Sequence, residues 1–275
     1  MENPPEPTSQ ASSLSWRGGA AAPGTRALPE EIAVALTFDR ISFAVMMASP
    51  ADLEDFAIGF ALSEGIVEAA NEIVELEIVA LAAGVECRMA LATARRDALA
   101  ARRSRIAGPV GCGLCGIDSL EQAILPARQV QSPLQMPAAA IAAGFTRMAQ
   151  HQFLNHQTHG VHAAAFLTPD GEVTVREDVG RHNALDKLIG AIARTGAAGA
   201  HGAVLLTSRV SIELIQKTAR LGAPILAAIS VPTARAVREA EAAGLTLIAV
   251  ARDDGFEIFT HPARIILDAV PHPPQ

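Results

Sequence analysis

Long apolar runs are missing from this 275-residue sequence. The longest candidate, residues 223–231, has the length of a buried strand and falls short of the roughly 18 residues that a membrane-spanning helix needs. The first 25 residues also lack a basic segment followed by an apolar one, which argues against a secretory signal peptide. We therefore expect a soluble, cytoplasmic protein that does not enter membranes.

Cysteine and basic charge are also scarce. The three cysteines, Cys87, Cys112 and Cys115, are too few for a disulfide scaffold, and a chain of this length can bury a core without one. The 22 Lys and Arg residues stand against 29 Asp and Glu residues, which gives a formal net charge of −7. This acidity argues against a protein that coats nucleic acid or lies on an anionic membrane.

Composition divides the chain into four segments. Residues 1–28 are rich in Pro, Ser, Gly and Ala, which predicts a disordered tail. Residues 29–100 predict a small α+β domain, and residues 127–270 predict a second, larger domain. The stretch between them, residues 101–126, combines arginines with closely spaced glycines and is predicted to be a mobile loop.

The small domain shows regular spacing of its apolar residues. Residues 31–48 predict two strands around an Asp39-Arg40 turn, and residues 52–63 predict a helix that ends before Gly65. A second strand pair is predicted at residues 73–79 and 85–91. Cys87 follows the apolar alternation of that pair, so we interpret it as a core residue.

The larger domain is predicted to be α/β. A helix is predicted over residues 138–152 and a hairpin over residues 161–175, around Pro169-Asp170-Gly171. Alternating strands and helices follow at residues 203–207, 211–221, 224–229, 233–243 and 245–250. Strands that are apolar on both faces and joined by helices predict a mostly parallel sheet.

Parallel sheets of this kind bind ligands beyond the carboxyl ends of their strands, where helix N-termini present free N–H groups. Three polar segments fall at those ends, at residues 208–210, 230–233 and 251–255. The pattern therefore predicts one anion-tolerant site built from segments that are far apart in sequence.

The motif GCGLCG at residues 111–116 holds two cysteines at CxxC spacing. It also fits the dinucleotide fingerprint G-x-G-x-x-G, but no apolar strand precedes it and no acid follows about 20 residues on, which argues against that reading. Three chemistries stay open: half of a zinc site, a dithiol redox pair, and a nucleophilic thiol that carries a group.

A zinc site at the CxxC motif would need two further ligands, and the sequence offers only histidines for them. The histidines that crowd residues 151–162 are His151, His156, His159 and His162. Without cysteine partners they are more typical of surface or hydrogen-bonded residues than of a metal site. The zinc-deaminase pattern H-x-E is also absent, because the residue two positions after His162 is Ala164 instead of the proton-shuttling glutamate. We therefore predict no metal ligands.

A positive field is predicted beside the cysteines. Residues 95–105 hold five arginines against one aspartate, a local net charge of +4; the arginines are Arg95, Arg96, Arg102, Arg103 and Arg105. Nearby cations favour a thiolate over a thiol, and the glycines leave the thiols accessible. Both properties suit a reactive cysteine that must reach partners, although a solvated arginine face beside a flexible linker would look similar.

The segment EDVGRHNALDKLIG at residues 177–190 concentrates hydrogen-bonding side chains at a predicted helix start. Asn183 is a good candidate for the N-cap. A phosphate or heterocycle site would use such a cluster, but a capped helix with an Asp178-Arg181 ion pair would give the same pattern.

Four blocks in order carry a specific resemblance. They are GCGLCG, THGVHAAAF (158–166), EDVGRHNALDKLIG and the segment 207–252, which begins TSRVSIELIQK. Together they resemble the formate dehydrogenase accessory sulfurtransferase family, FdhD, from about residue 29 to about residue 268. The resemblance implies a homodimer and a cytidine-deaminase-like, three-layer C-terminal domain.

The resemblance also implies a function. The protein would accept sulfur from a cysteine desulfurase as a persulfide and deliver it to the molybdenum or tungsten bis-pterin guanine dinucleotide cofactor of formate dehydrogenase. The persulfide carrier falls on Cys112, and Cys115 matches the second cysteine of the motif. The rival interpretation is a cofactor-binding chaperone in which CxxC is structural or binds zinc.

The family's cofactor-binding segment falls on Val250, Ala251, Arg252, Asp253, Asp254 and Gly255. Family members usually read Arg-x-Gly-Arg here, so acids replace a second cation in this chain. We expect Arg209 and Arg252 to pair with the dinucleotide phosphates. Asp253 or Asp254 would accept from the N–H edge of guanine. Ser208 and Thr233 are expected to line the same pocket.

Overall fold

The computed structural model describes residues 3–96, 99 and 127–267. The whole of the loop predicted at 101–126, with Cys112 and Cys115, lies outside the described residues. The strands are β1 (Thr8–Arg17), β2 (Ala20–Pro29), β3 (Ile32–Phe38), β4 (Ile41–Ala48), β5 (Ile73–Leu81), β6 (Gly84–Leu91), β7 (Met136–Pro137), β8 (His162–Leu167), β9 (Val173–Asp178), β10 (Ala203–Leu206), β11 (Ile225–Ala228), β12 (Thr246–Arg252), β13 (Gly255–Ile258) and β14 (Ile265–Ile266). The α-helices are α1 (Leu53–Ser63), α2 (Ala138–Gln150), α3 (Phe153–Thr158), α4 (Arg181–Thr195), α5 (Ile212–Leu221) and α6 (Ala234–Ala243). Short 3-10 turns occur at Ala70–Glu72, Gly199–His201 and Pro262–Arg264.

The α/β class is confirmed, but the predicted domain division is not the one that the chain adopts. Among the described residues, a first unit contains residues 3–96, 99, 152–163 and 176–195, and a second unit contains residues 127–151, 164–175 and 196–267. The chain thus returns twice to the first unit after leaving it. Within the described ranges, no helix has both the length and the apolar character needed to cross a membrane.

The N-terminal segment is a β-hairpin, so the predicted disordered tail over residues 1–28 is wrong. Strands β1 and β2 pair from Thr8 with Pro29 to Arg17 with Ala20. The turn between them uses Gly18 and Gly19, both at positive φ, which glycine adopts without steric cost. Most side chains of this hairpin are exposed, so a hydrophilic composition is compatible with paired strands.

The predicted strands of the first unit form one sheet with the order β4-β3-β6-β5. Strands β3 and β4 join through Asp39 and Arg40, which both take positive φ, the geometry of a tight two-residue hairpin turn. The predicted helix is confirmed as α1. Cys87 is fully buried in the core with Phe56, as predicted, and burial raises the pKa of its thiol to about 12.

Helix α4 packs closely against α1 because each helix presents a glycine at the contact. A Cβ atom at Gly59 would overlap the carbonyl oxygen of Asp186, and one at Gly190 would overlap the carbonyl oxygen of Asp55. This packing explains why residues 176–195 belong to the first unit. An apolar pattern in the sequence predicts that a helix face is buried, but it does not predict the partner.

We expect Gly59→Ala to destabilise the protein by about 1–3 kcal/mol, the range for overpacking a core. The sign is informative, because Gly→Ala within a helix otherwise stabilises by about 1 kcal/mol. The free energy of unfolding in urea measures the effect. Gly24→Ala is the matched control, since its new Cβ would meet only the Ser13 hydroxyl at 3.7 Å. Equal unfolding midpoints for both variants would contradict the close approach of the helices.

The second unit contains most of a six-stranded sheet with the order β13-β12-β11-β10-β8-β9, and the chain crosses between units within β8 and β9. The central strands β10, β11 and β12 are parallel, whereas β8 and β13 pair antiparallel to β10 and β12. The predicted parallel arrangement is therefore confirmed for β10, β11 and β12, and antiparallel strands flank this parallel centre. The short Asp253-Asp254 turn after β12 forces antiparallel pairing, because parallel neighbours need a long crossover.

The β-α-β-α-β succession itself is confirmed. Strands β10 and β11 are buried at every residue. Helices α5 and α6 each end at a glycine with positive φ, Gly222 and Gly244. The carboxyl ends of the three parallel strands therefore meet at one edge of the sheet, which we call the carboxyl edge.

Candidate functional site

The carboxyl edge joins the three segments that the sequence predicts to form a site. The turn after β10 contacts the turn after β11, because the Val210 amide donates to the Val231 carbonyl (3.2 Å) and the Thr233 amide donates to the Val210 carbonyl (2.9 Å). The turn after β11 contacts β12, because the Val250 amide donates to the Ser230 carbonyl (3.3 Å). The three segments thus lie side by side, and their binding of a ligand stays a prediction.

The predicted site residues in the turns after β10 and β11 differ in their burial and hydrogen bonding. Ser208 is buried, and its hydroxyl donates to the Arg209 carbonyl at 3.2 Å. The Thr233 hydroxyl accepts from the Ala236 amide at 3.1 Å and caps α6. Arg209 is exposed. We therefore expect Ser208 and Thr233 to shape the edge, and Arg209 to contact a ligand.

The segment from Val250 to Gly255 is a hairpin rather than a loop beyond a strand end. Strand β12 continues through Arg252, although the sequence predicts its end at Val250, and β13 begins at Gly255. Ala251 is buried. The turn residues Asp253 and Asp254 are exposed, so their carboxylates are available as acceptors.

Two features of β12 mark this edge as locally constrained. Val250 has φ of 57° at a shift in the β12–β13 register, and a β-branched residue is strained in that region. Strained backbone concentrates at functional sites. The Arg252 Nη1 atom donates to the carbonyls of Ile229 and Ala251, so this guanidinium also fixes the edge of the neighbouring strand.

The electrostatics of the carboxyl edge suit an anion. Arg209 and Arg252 contribute cations, and the N-termini of α5 and α6 contribute backbone N–H groups and the positive ends of their dipoles. The Ser211 hydroxyl at the start of α5 is buried without a hydrogen-bond partner among the described residues. This set can bind phosphate groups, while Asp253 and Asp254 can accept from a base.

A second polar cluster occupies the first unit and involves the EDVGRHNALDKLIG segment. The Lys187 ammonium lies 2.7 Å from an Asp178 carboxylate oxygen, and both side chains are fully buried. It also donates to the carbonyls of Ser49 (2.9 Å) and Glu177 (3.3 Å). The sequence does not predict this buried ion pair, because its signal is no more than a lysine within an apolar helix face.

Asp178 uses both carboxylate oxygens. One accepts from the Ser49 amide (3.0 Å) as well as from Lys187, and the other accepts from the Gly180 amide (2.7 Å) and the Asn183 side chain (3.0 Å). The prediction of Asn183 as the N-cap is therefore wrong, because α4 begins two residues earlier at Arg181. The alternative interpretation with an Asp178-Arg181 ion pair does not hold either, because Asp178 pairs with Lys187.

Glu177 and His162 have perturbed pKa values in this cluster. Burial raises the pKa of Glu177, whose carboxylate accepts from the amides of Leu154 and Asn155, both at 2.8 Å, at the start of α3. Burial, and then the positive charge of Arg181, lower the pKa of His162. In the described ranges, no three His, Cys, Asp or Glu side chains are grouped to hold a metal ion.

Part of the predicted positive field beside the CxxC motif is neutralised. Arg95 lies 2.8 Å from a Glu72 carboxylate oxygen, and Arg96 lies 3.2 Å from an Asp39 carboxylate oxygen. These acids come from distant parts of the sequence, which composition along residues 95–105 does not take into account. Arg102, Arg103 and Arg105 lie outside the described residues.

The fold and the carboxyl edge define a two-unit α/β protein with a mixed sheet and a cation-bearing edge suited to anionic ligands. The FdhD/NarQ family model matches residues 29–266. The chain belongs to this family.

Two relatives and one crystal structure are similar to this chain over most of its length. The sulfur carrier protein FdhD of Agrobacterium fabrum is 50% identical over 253 residues, which cover 91% of this chain and 93% of the relative. The sulfur carrier protein FdhD of Brucella abortus is 51% identical over 244 residues, 88% of this chain and 91% of the relative. A crystal structure assigned to a formate dehydrogenase accessory protein of Desulfotalea psychrophila superimposes with a TM-score of 0.74 at 26% identity, covering 94% of this chain and 99% of that chain.

Proposed function

We propose that this chain is a sulfur carrier that acts for formate dehydrogenase. The observation that carries the proposal is the CxxC pair within a chain about half identical, over nine-tenths of its length, to proteins named as sulfur carriers. Cysteine suits this function because a thiolate is a nucleophile and its persulfide is a sulfur donor.

Loading transfers a sulfur atom from a persulfide to Cys112 by thiol exchange, with no net oxidation or reduction. The Cys112 thiolate attacks the terminal sulfur of a persulfide on a cysteine desulfurase. A new S–S bond forms at Cys112, the S–S bond of the donor breaks, and the donor cysteine leaves as a thiolate. Release of that sulfur as sulfide requires two electrons, which a second thiol supplies as it forms a disulfide with Cys112. Cys115 has the spacing for this step.

The acceptor in this proposal is the molybdenum or tungsten bis-pterin guanine dinucleotide cofactor, which is the substrate of sulfuration. Arg209 and Arg252 at the carboxyl edge would pair with its phosphates, since a guanidinium fork gives two hydrogen bonds to one anion. Asp253 or Asp254 would accept from the N–H edge of guanine. The proposal includes a homodimer, cytoplasmic location and transient binding of the desulfurase and of formate dehydrogenase.

The nucleotide part of the proposal predicts that GDP binds more tightly than ADP. Asp253→Asn or Asp254→Asn should reduce this preference, because an amide cannot replace both acceptor oxygens. Arg209→Ala and Arg252→Ala should each weaken both nucleotides by roughly 1.5–3 kcal/mol, the range for a charged hydrogen bond. Isothermal titration calorimetry measures the affinities.

Arg209→Ala is the cleaner of the two arginine variants, because Arg252 also bonds the carbonyls of Ile229 and Ala251. Arg238→Ala, an exposed arginine on α6, is the control for loss of one positive charge in the same unit. Equal affinities of the parent protein for GDP and ADP would exclude the guanine contact.

Charge beside the CxxC motif is expected to affect the rate of loading. Replacing Arg102, Arg103 and Arg105 together with Ser should slow persulfide formation and flatten its dependence on salt, because clustered charges guide the encounter with a partner. Stopped-time loading assays from 20 mM to 500 mM salt, roughly a fivefold span of Debye length, measure this. A triple variant that loads at the parental rate at every ionic strength would show that these arginines are only a solvated face.

A further inference from the structure

The distal half of the β1–β2 hairpin presents an exposed apolar face. Residues that pair directly across two strands project from the same face of the ribbon. Trp16 pairs with Ala21, and Leu14 pairs with Pro23, so these four apolar side chains form one surface, which we call the arm face. Trp16 is 74% exposed and Leu14 is 72% exposed, whereas tryptophan is usually mostly buried. A contiguous exposed apolar surface is typical of an interaction site.

The base of the hairpin is fixed to the first unit. The Arg26 guanidinium donates to the Thr158 carbonyl (3.4 Å). Pro29 lies so close to Gly160 that a Cβ atom on this glycine would meet the proline ring at 3.0 Å. The ten-residue strands are roughly 33 Å long, at about 3.3 Å per residue. The arm face lies at the opposite end from these contacts, next to the turn, so a long ribbon with a fixed base carries it.

The four-stranded sheet of the same unit carries a second exposed apolar surface. One face of the sheet packs against α1 in the core, and the outer face is the other one. The strand register groups six apolar side chains at one end of the outer face: Ala33, Ala35, Val45, Met47, Val79 and Leu81. We call this group the apolar strip. Its largest members, Val45, Met47 and Leu81, are each at least half exposed. Because the arm face and the apolar strip are both exposed in the single chain, they do not cover each other within it.

The charges around the two surfaces are opposite in sign. Residues 8–29, which form the hairpin, hold two arginines and no acid, a net charge of +2. Beside the apolar strip, the outer face of β5 and β6 holds three glutamates against one arginine, a net charge of −2. Complementary charges of this kind steer two surfaces together and favour one partner over others.

We propose that the arm face of one copy of this chain binds the apolar strip of a second copy, and the reverse, in a two-fold dimer. A two-fold axis makes such a contact twice, because each copy supplies one arm and one strip. The second copy is the partner that supplies both exposed apolar surfaces and their opposite charges. The inference rests on the homodimer of the proposed function and gives that dimer a specific contact. It does not depend on sulfur transfer.

The test uses Trp16, which is the single tryptophan of the sequence, so tryptophan fluorescence reports on the arm face alone. The full-length protein is diluted in steps, and its emission, its quenching by acrylamide and its molar mass from light scattering are measured. We expect the dimer to emit at shorter wavelength and to protect Trp16 from the quencher. Dilution should shift the emission to that of an exposed indole, with the same midpoint as the fall in molar mass.

Two variants remove one side of the contact each. Trp16→Ser and Val45→Lys should each weaken the dimer at least about tenfold, because large side chains at the centre of an interface carry most of its binding energy. In Val45→Lys, Trp16 should also become open to the quencher. Val74→Lys is the matched control, since it places the same charge on an exposed valine of the same sheet outside the apolar strip and should leave the dimer unchanged. Circular dichroism confirms that each variant is folded.

The outcomes separate this contact from the rest of the proposed function. A dimer in which Trp16 stays open to the quencher, or that survives Val45→Lys unchanged, would overturn the arm contact and leave the homodimer standing. A monomer at every concentration would overturn both the contact and the homodimer, and would leave sulfur transfer unaffected. A monomer whose emission shifts only on addition of phosphatidylglycerol vesicles would overturn the contact by showing that the arm face binds lipid.

Discussion

Cys112→Ser is expected to abolish the activation of formate dehydrogenase by this protein. A hydroxyl cannot form a persulfide, so the variant has no group to carry the sulfur. The measurement is formate oxidation in cells that lack their own carrier and are supplied with either the parent protein or the variant. Cys115→Ser should be milder, because one thiol suffices to carry the sulfur and other thiols can supply electrons for its release.

Cys87→Ala is the matched control for the loss of a thiol. Cys87 is fully buried and its pKa is raised to about 12, so it supplies almost no thiolate near neutral pH. Formate dehydrogenase activity should therefore persist in Cys87→Ala wherever the variant is folded. Equal and complete loss in Cys112→Ser and Cys115→Ser would contradict the single-carrier account and would instead indicate a dithiol or metal-binding pair.

Lys187→Met is expected to destabilise the protein by about 3–5 kcal/mol, the cost of breaking a buried ion pair from one side. The change leaves the Asp178 carboxylate buried at 0% exposure without its cation. It also removes donors to the carbonyls of Ser49 and Glu177. The free energy of unfolding in urea measures the loss.

The control for this prediction is an exposed ion pair of the same unit. Arg88 lies 2.9 Å from Glu86 and 3.6 Å from Glu77, and its own side chain is about half exposed, so Arg88→Ala should cost no more than about 1 kcal/mol. Adding Asp178→Asn to Lys187→Met should recover part of the stability, because it removes the uncompensated charge. A decrease of less than about 1 kcal/mol in the free energy of unfolding of Lys187→Met would contradict a buried Lys187–Asp178 ion pair that excludes water.

Local patterns in the sequence were sufficient to predict most of the individual helices and strands. Strands β3 to β6 and helices α1, α5 and α6 follow apolar spacing and glycine positions, which depend on near neighbours. The hairpin at residues 8–29 was missed because its stability does not come from an apolar face. The docking of α4 on α1 was missed because it depends on the pairing of Gly59 with Gly190 across more than 100 residues.

The candidate site was predictable to a similar depth. Parallel strands bring their carboxyl ends to one edge, so the meeting of the turns after β10, β11 and β12 followed from strand order. The hydrogen bond from Arg252 to the Ile229 carbonyl was not predictable, because it depends on how β12 lies beside the end of β11. The strain at Val250 was not predictable, because it depends on the register between β12 and β13. Lys187 was missed because a lysine in a helix is usually at the surface.

The most direct test of the central claim is the mass of the intact protein after incubation with a cysteine desulfurase and cysteine. Peptide mapping then locates the modification. We expect a gain of one sulfur atom on Cys112 that a thiol reductant removes and that is absent from Cys112→Ser. An unmodified Cys112 after incubation with an active desulfurase, or bound zinc held by both cysteines, would contradict sulfur transfer and favour a cofactor-binding chaperone.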